Sequence, residues 1–268
     1  RRSRDMIHWR HDPLALWPST WYDALGVFSG SIAVDGDRKD LVDLGRDSKL
    51  LYIYYTAVHS PEDESEVTLK DGVHPWREIQ ASAVTSPWGG LRDWTKEKAE
   101  STMVVDPPFS FEEIAGFRDP AVKFDRQSQG WKMLVGSGKL TEGGNVLVYS
   151  SGAANLKDAR WAYSGIMLQG IAEEQYIPGT DPVSSDYMWE CPDLTEVGQS
   201  GLHVLLYGTS DAVFYSLGRL SWHNGTPRFE PISSIGANAN EAKRRAKLDH
   251  GLYYAARFQD MGEGERLR

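Results

Sequence analysis

The sequence predicts an all-β protein, and three observations support this prediction. The chain has 268 residues, with 10 Trp, 12 Tyr and 8 Phe beside 26 Gly and 13 Pro, a composition typical of short aromatic strands separated by turns. Apolar and polar residues alternate with period two in many segments, whereas few segments have a helical period. Pairs of turn-forming residues stand between these segments, as at Asn224-Gly225, and favour β-hairpins.

The alternation places the strands in order along the chain. Strands are predicted at residues 27–34, 50–55, 78–84, 121–124, 131–136, 145–150, 203–207, 212–217 and 251–258. Turn sequences such as Gly143-Gly144-Asn145 and Asn224-Gly225 are short, so neighbouring strands should pair antiparallel as a meander.

Two markers recur among these strands and indicate repeated units. A serine followed by aliphatic residues leads to Trp9, Trp94 and Trp161, each time after a strand. A second marker leads each unit, at residues 28–31, 117–120, 189–194 and 248–251. Radial repetition of four-stranded antiparallel sheets gives a β-propeller. We therefore expect residues 1–268 to form one propeller domain with incomplete first and last blades, and segments to be missing at both ends.

Composition excludes several classes of function. The formal net charge of -9 and pI near 5.3 argue against a nucleic-acid partner, because phosphate binding needs clustered cations. The short basic cluster Lys243-Arg244-Arg245 is expected to be solvated surface. The chain has no apolar run long enough for a membrane helix. The single cysteine, Cys191, and seven scattered histidines predict no disulfide, no metal site and no other cofactor.

Two carboxylates stand in motifs suited to the cleavage of a glycosidic bond. That reaction needs a general acid and a second carboxylate that acts as nucleophile or as base. Glu190 lies between Met188-Trp189 and Cys191-Pro192, and apolar surroundings favour a protonated carboxyl group, so Glu190 is the candidate acid. Asp119 follows Arg118, whose guanidinium favours the ionised form and can also hold sugar hydroxyls. Either carboxylate could instead be an ordinary strand-edge or turn-capping acid.

Three other signals are discounted. The segment 136–139 has the Gly-Ser-Gly-Lys letters of a phosphate-binding loop, but it lacks the earlier glycine and a following helix. The sequence has no Gly-x-Ser-x-Gly elbow of a serine hydrolase. Asn224-Gly225-Thr226 fits a glycosylation site and fits a hairpin turn equally well.

Four motifs together resemble glycoside hydrolase family 32, which comprises invertases, inulinases, levanases and related fructosyltransferases. They are Trp-Tyr-Asp through Phe-Ser-Gly-Ser at 21–31, Phe-Arg-Asp-Pro at 117–120, Trp-Glu-Cys-Pro-Asp-Leu at 189–194 and Leu-Asp-His-Gly-Leu-Tyr-Tyr-Ala at 248–255. Their order and rough spacing are those of the family, and the resemblance covers nearly the whole chain.

The resemblance implies a five-bladed propeller with a funnel-shaped active site, usually followed by a β-sandwich domain, which we expect this chain to lack. It implies retaining hydrolysis of β-fructofuranosides such as sucrose or fructans, with Glu190 as acid/base and Asp119 as transition-state stabiliser. Arg118, Phe28 and Ser29 would bind the sugar, and Cys191 would modulate the acid/base. A small carbohydrate is then the partner, and an extracellular or vacuolar location is suggested.

One departure from the family concerns the nucleophile. The family places it in a Trp-Met-Asn-Asp-Pro-Asn-Gly type motif, and this sequence has no such motif. Asp12-Pro13 and Asp181-Pro182 stand in the wrong places, so the nucleophile is assigned to no residue. We expect the chain alone to be inactive and the parent protein to be a glycosidase. The alternatives are a non-catalytic fructan- or sucrose-binding propeller and a fructosyltransferase, and the sequence does not choose among fructosides.

Overall fold

The computed structural model describes residues 2–3, 5, 7–35, 50–61, 76–85, 91–97, 105–111, 113–170, 186–210, 212–232, 246–249 and 251–258. Three features of the sequence lie outside these residues, namely Lys243-Arg244-Arg245, Asp181-Pro182 and the histidine of the fourth marker. Within the described ranges, no helix is long and apolar enough to cross a membrane.

The described residues form β-strands and two short 3-10 turns, at Trp21–Asp23 and Leu156–Asp158. The strands are β1 Arg2–Ser3, β2 Trp9–Arg10, β3 Gly26–Val34, β4 Leu51–His59, β5 Arg77–Thr85, β6 Thr95–Lys96, β7 Ile114–Asp125, β8 Gly130–Lys139, β9 Gly143–Ser151, β10 Ala162–Gln169, β11 Glu190–Glu196, β12 His203–Gly208, β13 Val213–His223, β14 Thr226–Pro231 and β15 Ala246–Lys247.

Three four-stranded antiparallel sheets follow one another along the chain. They are β3-β4-β5-β6, β7-β8-β9-β10 and β11-β12-β13-β14, with β15 paired to β13 and a separate pair β1-β2. The first strands contact one another from sheet to sheet, β3 with β7 and β7 with β11, as the innermost strands of propeller blades do. The all-β fold with four-stranded antiparallel blades is confirmed. Three such blades are described, so the number five stays a prediction.

The core lies between the blades. Tyr54 of the first blade packs in one cluster with Phe117 and Met133 of the second. Trp189 and Leu205, on the side of the third blade, pack in another cluster with Val146 of the second. Strands β8 and β9 are therefore covered on both faces, which explains their nearly continuous burial. Burial of each large apolar side chain contributes about 1.5–3 kcal/mol.

The first strand of each blade carries a β-bulge at the second sequence marker. Register shifts occur between Phe28 and Gly30 in β3, between Arg118 and Ala121 in β7, and between Glu190 and Asp193 in β11. A β-bulge inserts extra residues into one strand of a pair. The bulged strand bends locally, and its side chains point in new directions. The marker in three successive units thus corresponds to one repeated backbone feature.

The tryptophan marker also has a structural counterpart. Trp94 and Trp161 stand immediately before β6 and β10, which are the fourth strands of the first and second blades. Trp9 lies in β2, which pairs only with β1 among the described strands. For Trp94 and Trp161, the repeat inferred from the sequence is therefore a repeat of the outer edge of a blade.

One strand prediction is wrong, and several strands were missed, β10 and β14 among them. Residues 251–258 form no strand, because amides in this segment bond to side chains, as when the Phe258 amide donates to Asp193. Pro227 and Pro231 lie in β14 and argue against a strand in the sequence, but the outermost strand of a sheet tolerates proline.

Candidate active site

The two carboxylate motifs meet where β7 and β11 lie side by side. Arg118 donates two hydrogen bonds to Oε1 of Glu190, from Nε at 3.0 Å and from Nη2 at 2.5 Å. Both side chains are largely shielded, with 15% and 19% of their surface exposed. Within the described part of the chain, Oε2 of Glu190 accepts no hydrogen bond. One oxygen of the candidate acid is therefore anchored by Arg118.

A third carboxylate, Glu78 of β5, completes this arrangement. Its oxygens accept hydrogen bonds from Nη1 of Arg118 at 3.1 and 3.3 Å and from the Phe117 amide at 2.6 Å. The side chain is buried, with 5% of its surface exposed. Sequence reasoning missed Glu78, which stands in a predicted strand without a motif, so a buried acid beside an arginine of another blade gave no local signal.

Arg118 is the charge centre of the site. Burial alone would lower the pKa of its guanidinium, but Glu78 first and then Glu190 outweigh that effect and raise the pKa, with a smaller contribution from Asp119. The sequence pairs Arg118 with its neighbour Asp119. The structure instead directs its hydrogen bonds to Glu78 and Glu190, so the permanently charged arginine joins two blades.

Asp119 is buried, with 5% exposure, and has a left-handed backbone with φ of 64°. Its Oδ2 accepts hydrogen bonds from the Cys191 amide at 3.0 Å and from the Cys191 thiol at 3.4 Å. Its own amide donates to Oγ1 of Thr56 at 2.9 Å. The second carboxylate oxygen, Oδ1, has no hydrogen-bond partner among the described residues.

Cys191 follows the candidate acid in the bulge of β11 and contacts Asp119. It is 7% exposed and has a φ of 48°. Burial, followed by the charge of Asp119, raises the pKa of its thiol to about 12. The sulfur is therefore a neutral hydrogen-bond donor to the carboxylate at neutral pH, and it is not a thiolate nucleophile.

Glycines of the second blade allow the backbone before Glu190 to pack closely on that blade. A Cβ on Gly136 would lie 2.3 Å from the Trp189 carbonyl oxygen, and one on Gly144 would lie 2.1 Å from the Trp189 indole. The Trp189 amide donates to the Ser137 carbonyl, and its ring stacks on Tyr207 at 4.0 Å. The segment discounted as a phosphate loop thus supports the candidate acid.

Arg257 joins both motifs from the segment predicted as a strand. Its guanidinium donates to the main-chain carbonyl of Pro192 at 2.7 Å and to that of Asp119 at 3.3 Å. The next amide, that of Phe258, donates to Asp193. These contacts fix residues 257–258 against the two bulges, and no sequence pattern marked Arg257 for this role.

Phe28 and Ser29 occupy the bulge of the first blade and are both exposed. Phe28 pairs with Thr56 across the sheet, and Thr56 accepts the amide hydrogen bond of Asp119. Phe28 is 41% exposed, and an exposed aromatic residue suits stacking on a sugar. The structure therefore links Arg118, Asp119, Glu190 and Cys191 in one cluster and places Phe28 and Ser29 on the first strand of the adjacent blade.

The geometry defines a class of site. Two carboxylates from adjacent bulged strands each present one oxygen, with an arginine beside them and an exposed aromatic residue on the next blade. Glycosidases act through side-chain carboxylates, and a site of this composition is compatible with that class of enzyme. Among the described residues, no group of three or more His, Cys, Asp or Glu could hold a metal ion.

The family assignment follows from sequence comparison. The family described as "Glycosyl hydrolases family 32 N-terminal domain" matches residues 1–267, so the chain belongs to glycosyl hydrolase family 32. It is 32% identical over 205 residues to the raffinose invertase of Escherichia coli, covering 76% of this chain and 33% of that protein. It is 26% identical over 287 residues to the acid beta-fructofuranosidase of Solanum lycopersicum, covering 99% and 37%.

Comparison of structures agrees on the fold. The crystal structure of fructan 1-exohydrolase IIa from Cichorium intybus superposes with a TM-score of 0.61 at 20% identity, covering 94% of this chain and 41% of that chain. At this identity the likeness shows the fold alone. The chain spans 33% and 37% of the length of the two curated relatives.

Proposed function

We propose that the full-length protein hydrolyses the β-fructofuranosidic bond of sucrose or a fructan with retention of configuration. The observation that carries the proposal is the contact between the Arg-Asp-Pro and Glu-Cys motifs, which leaves Oε2 of Glu190 and Oδ1 of Asp119 without hydrogen-bond partners in the described ranges. Family membership and the names of the two curated relatives support the same activity.

Glu190 is the general acid and base of the proposed mechanism. Oε2 gives its proton to the glycosidic oxygen as the bond from that oxygen to the anomeric carbon breaks, while a carboxylate attacks the carbon from the opposite side. Water then attacks the same carbon, Glu190 takes the proton of that water, and the carboxylate leaves. Arg118 holds Oε1, so the carboxyl group keeps one orientation through both steps.

Asp119 stabilises the transition state. Cys191 donates hydrogen bonds to Oδ2. Oδ1 accepts hydrogen bonds from fructosyl hydroxyls, and these bonds strengthen as positive charge develops on the sugar. Arg118 from this blade, with Phe28 and Ser29 from the adjacent blade, binds the sugar in this proposal. The attacking carboxylate is assigned to no residue, since the family motif for it does not occur in this sequence.

The test is fructose release from sucrose, inulin and levan by the full-length protein and its Glu190→Gln variant. The glutamine side chain keeps the Oε1 acceptor for Arg118, so the fold should persist while turnover falls by about 10²–10⁴-fold or more. Glu196→Gln is the matched control, because Glu196 is exposed at the end of the same strand. An aryl β-fructoside, whose leaving group needs no proton, should lose much less rate with Glu190→Gln than sucrose does. Equal turnover by wild type and Glu190→Gln on sucrose would refute the assignment.

A binding function without catalysis is the second candidate, and the missing nucleophile motif is the observation that favours it. Calorimetric titration of the chain with sucrose and with inulin would then show binding, while the full-length protein would release no fructose. Accumulation of oligosaccharides at high sucrose concentration would instead identify fructosyl transfer, which needs only a sugar in place of the acceptor water.

A further inference from the structure

Asp119 is held by two side chains of the neighbouring blade. Thr56 of β4 and Gln80 of β5 are direct cross-strand partners, and both are fully buried. The Asp119 amide donates to the Thr56 hydroxyl at 2.9 Å, the hydroxyl donates to Oε1 of Gln80 at 2.9 Å, and Nε2 of Gln80 donates to the Phe117 carbonyl at 2.6 Å. The chain of hydrogen bonds starts and ends on the backbone that carries the bulge.

This network holds a strained part of the backbone, at Asp119. A non-glycine residue with φ near 64° costs about 1–3 kcal/mol and persists only where its surroundings hold it. The two ends of the network fix the backbone on both sides of Arg118, at the Phe117 carbonyl and at the Asp119 amide. Each donor is matched to an acceptor along the chain of hydrogen bonds, which is required of polar groups with no access to water.

The geometry points to Thr56 and Gln80 as positioning residues for Asp119. They act on the sugar only indirectly, by fixing the bulge that carries the carboxylate of Asp119. This inference rests on the proposed function, because the carboxylate needs a fixed position only if it stabilises a transition state. A displacement of about 1 Å in such a group can cost about 10²-fold in rate.

Three variants test the network. Thr56→Val removes the hydroxyl at nearly constant shape, Thr56→Ser keeps it, and Gln80→Leu removes both polar groups of the amide. Ser82→Ala is the matched control. Ser82 is fully buried, lies on the same strand and the same face as Gln80, and its hydroxyl has no hydrogen-bond partner among the described residues.

The first measurement does not depend on activity. Amide hydrogen exchange at Asp119, followed by NMR, should accelerate at least about tenfold in Thr56→Val and in Gln80→Leu, because the amide loses a fixed acceptor. Thr56→Ser and Ser82→Ala should leave this exchange within about twofold of wild type. Unchanged exchange in Thr56→Val would overturn the inference.

The second measurement separates positioning from a general structural role. In the full-length protein, Thr56→Val should lower kcat for fructose release by about 10–100-fold, and Thr56→Ser should restore most of it. The same Thr56→Val change in an Asp119→Asn background should cost less than about threefold, because residues that act as a unit are not additive. An equal loss in both backgrounds would overturn the inference. A wild-type protein that releases no fructose would refute the proposed function, and the exchange result would still decide whether the network holds the bulge.

Discussion

Gly136 offers the most direct test of how the second blade positions the candidate acid. A Cβ at this position would lie 2.3 Å from the Trp189 carbonyl oxygen and 3.2 Å from the Cα of Glu190. Ordinary contact begins at 3.4 Å, so in Gly136→Ala the carbonyl has to move by about 1.1 Å. Both neighbours are backbone atoms of the segment that enters β11, and neither can turn aside as a flexible side chain could.

Two magnitudes follow from this displacement. Overpacking of a well-filled core costs about 1–3 kcal/mol, so the midpoint of urea unfolding should fall. Glu190 directly follows Trp189 and takes part of this shift, so the full-length variant should lose fructose release by up to the factor of about 10² that a displacement of about 1 Å costs at a catalytic group. Gly152→Ala is the control, because a Cβ there meets nothing within 4 Å and the change should be neutral or slightly stabilising.

The assay combines urea unfolding, followed by tryptophan fluorescence, with initial rates on sucrose below and above KM. Gly136→Ala should shift the unfolding midpoint and lower kcat, while Gly152→Ala should change neither by much. If the two variants unfold at the same midpoint, the close approach of Trp189 to the second blade is wrong. If Gly136→Ala is destabilised but keeps full activity, the packing is right and its role in placing Glu190 is refuted.

Three further predictions concern the charges and the thiol of the site. Glu78→Gln should lower the free energy of unfolding by about 1–3 kcal/mol, because it leaves buried Arg118 with one carboxylate fewer. Glu142→Gln, which changes an exposed ion pair, should lower it much less. Urea titrations of the two variants compare these losses. Arg257→Met should destabilise the chain and lower fructose release, because two main-chain carbonyls of the bulges lose their hydrogen-bond donor. Arg228→Met, which changes an exposed ion pair, should change neither stability nor fructose release. Equal effects of the two variants would contradict the bridging role of Arg257. The thiol of Cys191 has a pKa raised from 9.0 to about 12, so the folded state retains the proton between those values. The contribution of the Cys191 thiol to stability should therefore be present below about pH 9 and fall as the pH rises toward 12. Cys191→Ala should weaken the pH dependence of the unfolding midpoint across that range. Iodoacetamide should modify native Cys191 at about pH 8 at under about one hundredth of the rate for the unfolded chain.

Local patterns predicted most of the sheet structure. The runs at 131–136 and 145–150 lie within β8 and β9, and the Asn224-Gly225 pair forms the turn between β13 and β14, with φ of 51° and 82°. Such signals are local, because strand pleating and turn conformation depend on neighbouring residues. The error at 251–258 has the opposite origin, since that segment makes hydrogen bonds to groups far away in sequence.

The motif residues of the site could be predicted from the sequence, and the residues that hold them in place could not. Arg118 and Glu190 stand in short motifs whose letters are distinctive. Glu78, Gln80 and Arg257 act only through contacts with another strand or blade, and nothing in their own segments distinguishes them from ordinary strand residues. Such contacts depend on how the blades are placed, which composition and periodicity do not specify.

The bulges explain why the two motifs share the form of a charged residue, a second residue and a proline. In a regular strand, successive side chains point to opposite faces, so a strand could not present adjacent side chains to one pocket. At each bulge the middle residue, Asp119 or Cys191, has a positive φ, and the following proline has no amide that the interrupted ladder would leave unpaired. The backbone conformation is unfavourable for either residue alone, and the hydrogen bond between the Cys191 amide and Asp119 joins one bulge to the other. Each bulge therefore helps to stabilise its neighbour, and we expect a change in either motif to disturb the position of both carboxylates.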